Sequence, residues 1–169
     1  MEMNYCMQCG ARLVTREHPH EGLLPYCESC GEFRYPVFNT AVSMIVRNRA
    51  GDKVLLIRQY SRPFYILVAG YVNKGEDAED AAVREVSEEL GLEVDSVRFN
   101  RSHYFAPSNT LMLNFTVTVN DEAAHPNWEI DSFRWFSNEE ARKQVKPCSL
   151  AEAFLNGYFD GSYRFPSLS

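Results

Sequence analysis

Glu85, Glu88 and Glu89 stand at i, i+3 and i+4 in the segment 78–90, AEDAAVREVSEEL. If that segment is helical, the spacing puts their carboxylates on one face. Its composition favours a helix: it holds no Gly or Pro and is rich in Ala and Glu, and Gly91 follows as a suitable left-handed stop. Three like charges on one face repel one another. Two readings answer that repulsion. Either the face is simply solvated, or a hard divalent cation sits on it, since Mg²⁺ takes carboxylate oxygens together with substrate phosphates. Val83, Val86 and Leu90 form a separate apolar stripe that should bury the helix against a sheet.

A second set of ligand types lies near the N-terminus. Cys6-Met-Gln-Cys9-Gly10 and Cys27-Glu-Ser-Cys30-Gly31 are two C-x-x-C-G units with seventeen residues between Cys9 and Cys27. That is the four-thiolate spacing of a zinc ribbon. Gly10 and Gly31 suit the tight turn after each knuckle, where positive φ is easiest for glycine. Disulfides are the competing reading and an intracellular chain disfavours them; another thiophilic ion would fit the same four ligands. Four cysteines close the coordination shell, so the expected Zn²⁺ is structural, and it supplies what a module of about 35 residues cannot bury. Cys148 stands alone and is expected to be a buried small apolar residue.

The elements that must position these groups follow an α/β plan. Residues 40–47 and 53–59 read as strands around an Asn48–Asp52 turn, and 64–69 is a short apolar run leading into a glycine loop at Gly70. Residues 96–105, 110–119 and 130–136 are strand-like, with 120–127 a polar loop. Ser137 followed by Glu140 is a capping-box signature for a helix over 137–145, and 149–159 is a final amphipathic helix. A mixed sheet between helices, α/β or α+β in class, is the expected sandwich over 37–169, preceded by a ribbon over 1–36.

The formal net charge of −6 argues against broad nucleic-acid binding through a basic surface, though local metal ions would still allow a phosphate substrate. No apolar run approaches bilayer length, and MEMNYCMQCG lacks the apolar region of a signal peptide. The expectation is a cytoplasmic chain with no membrane partner.

The segment 70–92, GYVNKGEDAEDAAVREVSEELGL, ties these observations to a family. Five residues separate Gly70 from Glu76, seven separate Glu76 from Arg84, and Arg84 opens REVSEELGL. This matches the Nudix box, G-x5-E-x7-R-E-U-x-E-E-x-G-U with U aliphatic, at every fixed position, so the chain resembles a Nudix hydrolase. The cysteine pairs upstream, LVAGYVNKGE at 67–76, Tyr35-Pro36, Glu129-Ile130 with Arg134-Trp135-Phe136, and the C-terminal PCSLAEAFLNGYF resemble the NADH pyrophosphatase branch over roughly residues 5–160. Larger members of that branch carry an additional N-terminal domain.

The resemblance implies an enzyme that cleaves a diphosphate by in-line attack of water at phosphorus, with Mg²⁺ or Mn²⁺ supplying charge neutralisation and water activation. Glu85, Glu88 and Glu89 would hold the ions together with the Gly70 carbonyl, and Glu129 would be a further acidic ligand, its alternative being a surface carboxylate. Glu85 or Glu89 would assist in deprotonating the water. Arg84 and Glu76 would pair as scaffold. Tyr71 and Tyr35 would sandwich a base, Tyr35 coming from the other subunit of a homodimer; packing between ribbon and domain is the other reading of Tyr35. His103 and Phe105 are pocket-lining candidates. The branch's SQPWPFPxS segment with its following Leu-Met, its mark for NADH preference, reads SHYFAPSNTLM here over Ser102–Met112, agreeing at Ser102, Leu111 and Met112 and departing from His103 to Ser108. The expected substrates are thus an NADH- or NAD-type dinucleotide first, then ADP-ribose or another nucleotide sugar, then an NAD-capped RNA 5′ end, which an acidic chain disfavours. A nucleotide-sensing regulator or a ribbon-borne interaction module are the non-enzymatic readings. A sensor would be expected to break the glutamate set, and here it is complete.

Overall fold

Residues 3–166 are described by the computed structural model, in which the chain divides into Met1–Phe38 and Asn39–Ser169. The division falls two residues beyond the boundary expected from sequence. In the first unit, β1 (Val14–His18), β2 (Gly22–Cys27) and β3 (Glu32–Phe33) form an antiparallel sheet in that order. Its apolar content is thin. Phe33 packs edge-on against His18 and Tyr26, and the Arg16 guanidinium lies 3.7 Å from the Tyr26 ring centre. Among the described residues of this unit only Cys6 and Cys27 are fully buried, so the thiols occupy the place of a core.

The second unit runs β4 (Asn39–Arg47), β5 (Lys53–Gln59), β6 (Val68–Tyr71), α1 (Ala78–Leu90), β7 (Val94–Phe105), β8 (Thr110–Val119), β9 (Ile130–Ser137), α2 (Asn138–Gln144) and α3 (Leu150–Asp160). The sheet order is β7-β8-β4-β5-β9, with β6 joined to β4. β4 and β8 are parallel, in register from Asn39 with Thr110 to Arg47 with Thr118, and the other pairs are antiparallel. β5 pairs with β4 only at Val46 and Arg47; over Ala41–Met44 the same edge is taken by β6, which sets Gly70 opposite Val42. That hand-over brings the glycine loop into the middle of the sheet.

Side chains alternate across each strand, and both faces are covered. Val42, Met44, Val46, Leu55 and Ile57 pack on Ala81, Ala82, Val86 and Leu90 of α1. Ile45, Val54 and Leu56 pack on Ala141, Phe154 and Leu155 of α2 and α3. Burial on two faces explains why β4 and β5 read as near-continuous apolar runs. Each fully buried Leu, Ile, Val or Phe among them contributes about 1.5–3 kcal/mol. α2 begins with the expected capping box: the Ser137 hydroxyl accepts from the Glu140 N–H, and Glu140 Oε2 accepts from the Ser137 N–H at 3.0 Å.

Two sequence expectations are corrected. Val83 is exposed, and the buried stripe of α1 runs through Ala82, Val86 and Leu90, the true i, i+4 line. Cys148 is exposed rather than buried. It sits at φ +53° in the turn before α3, with its N–H donated to Glu152 Oε2 at 2.7 Å.

Candidate active site

The loop from Gly70 to Glu76 is fastened to α1 by one arginine. Arg84 donates from Nε to Glu76 Oε1 at 2.6 Å and from Nη2 to Glu76 Oε2 at 3.0 Å, a forked ion pair. The same Nη2 donates to the Tyr71 carbonyl at 3.0 Å, and Glu76 also accepts from the Asn73 N–H at 2.9 Å. The bond to Arg84, then that from Asn73, holds the Glu76 carboxyl down at about 2. Nη1 of Arg84 reaches across to Glu85 Oε1 (2.8 Å) and Glu88 Oε2 (3.2 Å). The arginine thus sets the loop on one side and two glutamates on the other.

Gly70 is glycine because of Glu85: a Cβ there would fall inside the Glu85 carboxylate. The backbone at Gly70 can therefore approach that carboxylate directly. From the opposite side, the loop before β9 docks on the end of α1. The His125 and Asn127 N–H groups donate to the Leu90 and Glu89 carbonyls at 2.7 and 2.9 Å, satisfying helix-end acceptors. The Asn127 side chain then accepts from the Glu129 N–H at 2.9 Å, fixing the turn that carries Glu129.

These elements enclose a cavity of about 510 Å³ into which Gly70, Tyr71, Glu85, Glu88, Glu89 and Glu129 all open. Glu89 is only 5% exposed. Burial, and then the charges of Glu85, Glu129 and Glu88, push its carboxyl up to about 8. Four carboxylates facing one cavity make a donor set that a divalent cation would relieve. Among the described residues the four cysteines are the group whose ligand atoms all lie within 4.8 Å of one another. The carboxylates are more widely spread, which suits ions shared with a phosphate-bearing substrate rather than one caged ion.

The structure brings Gly70, Tyr71, Arg84, Glu85, Glu88, Glu89 and Glu129 to this cavity and does not bring His103 or Phe105 there. His103 lies face to face on Phe165, ring centres 3.7 Å apart, and burial then Arg101 lower its pKa. Phe105 lines a neighbouring, mostly apolar cavity of about 450 Å³ that shares Ala69 and Met112 with the first. Tyr35 is in the first unit, exposed, with its phenol pKa raised by a hydrogen bond to Glu21. Sequence reasoning missed Tyr60, Asn73, Ser108 and Thr110 on the cavity wall and Asn127, whose side chain accepts from the Glu129 N–H. Only Asn127 had a legible signal, as an Asx-type residue two positions before an acidic candidate.

In the first unit the thiols of Cys6 and Cys30 are 3.9 Å apart and those of Cys9 and Cys27 3.5 Å. Tetrahedral coordination at a Zn–S distance near 2.3 Å calls for sulfur separations of about 3.8 Å, so the set fits a metal ion. Gly10 and Gly31, at φ +74° and +71°, close each knuckle by donating to the Cys6 and Cys27 carbonyls. Arg34 Nε donates to Cys6 Sγ at 3.3 Å, and that bond is the main reason the Cys6 thiol drops to about 6. Cys30, crowded first by Cys9 and by burial, is pushed up to about 12.

A family model described as the NUDIX domain matches residues 37–152. A Pseudomonas aeruginosa protein named NAD-capped RNA hydrolase NudC is 35% identical over 157 residues, covering 91% of this chain and 55% of the relative. One of the same name from Pseudomonas entomophila is 33% identical over 160 residues, covering 93% and 56%. The chain therefore spans little more than half the length of these curated relatives. Among solved structures, a NUDIX hydrolase from Nitrosomonas europaea covers 96% of both chains with a TM-score of 0.66 at 21% identity. A Caenorhabditis elegans Ap4A hydrolase covers 72% of this chain and 95% of its own with a TM-score of 0.57 at 20% identity. Both show the fold. The family match spans every strand of the six-stranded sheet and the whole of the Gly70 loop and α1, and the chain belongs to the NUDIX family.

Proposed function

We propose that this chain is a metal-dependent hydrolase of the diphosphate bond in a nucleoside diphosphate derivative, with an NADH- or NAD-type dinucleotide as the first candidate. One observation carries the reading: carboxylates from α1 and from the loop before β9 meet a glycine backbone around one open cavity. Glu85, Glu88, Glu89 and Glu129 are the residues to hold Mg²⁺ or Mn²⁺, with the Gly70 carbonyl beside them. When bound, such ions neutralise the diphosphate and acidify the attacking water. Either Glu85 or Glu89 is proposed to take the proton from that water. Arg84 acts through Glu76 and Glu85 as a positioning residue. Tyr71, 59% exposed at the cavity wall, offers a ring for a planar base.

The relatives are named for NAD-capped RNA, which supports a substrate carrying an NAD moiety. The chain's charge of −6 favours the free dinucleotide. ADP-ribose or another nucleotide sugar is the alternative, because the segment 102–112, which departs from the NADH-preference pattern from His103 to Ser108, supplies Ser108 and Thr110 to the cavity. A nucleotide-sensing regulator is disfavoured by the intact glutamate set. The four cysteines are proposed to hold Zn²⁺, in keeping with a cytoplasmic chain, and Tyr35 is proposed to act across a homodimer.

The test is incubation of the purified chain and Mg²⁺ or Mn²⁺ with NADH, NAD, ADP-ribose, nucleoside triphosphates and NAD-capped RNA, with products separated by chromatography. NMNH and AMP from NADH are the expected products. Cleavage of a different diphosphate would move the substrate and leave the chemistry. No turnover of any of them, with ions bound, would overturn the proposal in favour of a sensor.

A further inference from the structure

One exposed aromatic residue sits where the backbone gives it no reason to be. At the end of β5 the pairing with β9 slips between Arg58 and Gln59, and the chain then turns through Tyr60 and Ser61, both at φ +55°. Two successive L-residues in the left-handed region are uncommon and energetically unfavourable; glycine or asparagine is at ease there and tyrosine is not. The turn is held by a Ser61 N–H donated to Asp131 Oδ2 at 2.6 Å and an Arg62 N–H donated to the Gln59 carbonyl at 3.1 Å. Asp131 is two residues beyond Glu129, so the turn is anchored to the same strand start that presents that carboxylate. Gln59, just before it, approaches Glu89, with Nε2 3.5 Å from Oε2. The Tyr60 side chain is not repaid by burial: it is 65% exposed, on the wall of the glutamate cavity that Tyr71 also lines. Strain that packing does not explain, next to a reaction site, points to a use for the ring.

We propose that Tyr60 is a specificity-determining residue that stacks on the nucleobase of the substrate, giving the cavity a second aromatic face from the same chain as Tyr71. This rests on the nucleotide-diphosphate reading above and adds to it. Every base presents a π-face, so the ring recognises the class of planar bases and not one member. Base binding through Tyr60 does not require a second subunit. The phosphates are left to the carboxylate face and the Gly70 loop.

The experiment compares two non-hydrolysable ligands by calorimetry in Mg²⁺: α,β-methylene-ADP, which has a base, and methylenediphosphonate, which does not. Tyr60→Asn is the informative variant, because asparagine tolerates φ +55° and should leave the melting temperature at or above that of the native chain. The expected result is about tenfold weaker binding of α,β-methylene-ADP with unchanged binding of methylenediphosphonate. Tyr60→Phe and Tyr60→Trp should restore nucleotide affinity. In turnover, Tyr60→Asn should raise KM with kcat little changed, the pattern of lost uniform binding. Native-like nucleotide affinity in Tyr60→Asn, or equal loss of both ligands, would overturn the proposal while leaving the hydrolase reading intact. Failure of the native chain to bind either ligand would remove both.

Discussion

Glu89 is where burial and charge conflict most sharply, and its behaviour separates a catalytic carboxylate from a decorative one. Folded, it holds a proton up to about pH 8, whereas an unperturbed glutamate releases it near 4.5. The folded chain therefore binds more protons than the unfolded chain between those values, and ion-free stability must fall as pH rises through that window. Removing the charge with Glu89→Gln should flatten the slope. With a chelator present, the melting temperature of the native chain should decline from about pH 4.5 to 8 while that of Glu89→Gln stays nearly level, and Mg²⁺ should rescue only the native chain. Turnover in Glu89→Gln should drop by about 10²-fold or more. Parallel pH slopes in the two proteins would mean that Glu89 is not the group under strain. The spacing of Glu85, Glu88 and Glu89 showed that they share a face. It could not show that Glu89 lies at the buried border of that face, because that depends on how α1 rolls against the sheet. Tyr60 was invisible for a related reason: nothing in QYSRP marks two consecutive left-handed residues, which are imposed by the β5–β9 slip and Asp131.

At the scale of elements the periodicities were informative because burial enforces them. The span of α1 agrees with its Ala-rich, Gly-free composition, and β5 and β8 agree with their apolar runs. Pairing was another matter. The parallel match of β4 with β8 joins residues some seventy positions apart, and no local pattern encodes such a partner. The hand-over from β5 to β6 along β4 was equally hidden, yet it is what seats Gly70 against Glu85. That seat makes a specific forecast. Gly70→Ala overpacks the contact, at a cost of about 1–3 kcal/mol, or several degrees of melting temperature for a unit of this size. It should also reduce turnover by displacing Glu85. Because the clash is with one side chain, the stability cost should largely vanish in a Glu85→Ala background, a non-additivity that a double-mutant cycle reads directly. Additive costs would show that β6 moves instead and that Glu85 is not what requires glycine.

At the scale of the whole chain, two units meet the problem of stability by different means. The second buries two apolar layers against its sheet and needs no staple. The first buries little beyond Cys6 and Cys27, and its close thiols hold the Cys30 proton up to about 12, so a cation that joins them would release it. That contrast was legible early, since C-x-x-C spacing and the shortness of the segment that carries it are both sequence properties. It also fixes how the chain should come apart. Metal analysis should find one zinc per chain, and a strong chelator should unfold the first unit while the second keeps its own thermal transition. Cys27→Ser should reproduce that loss without chelator and leave the second transition within about 2 °C of native, since the second unit buries apolar layers of its own. Ellipticity followed by calorimetry distinguishes the outcomes. A single transition that shifts as a whole on metal removal would mean that the two units fold as one, and that the ribbon contributes to the stability of the catalytic sheet itself.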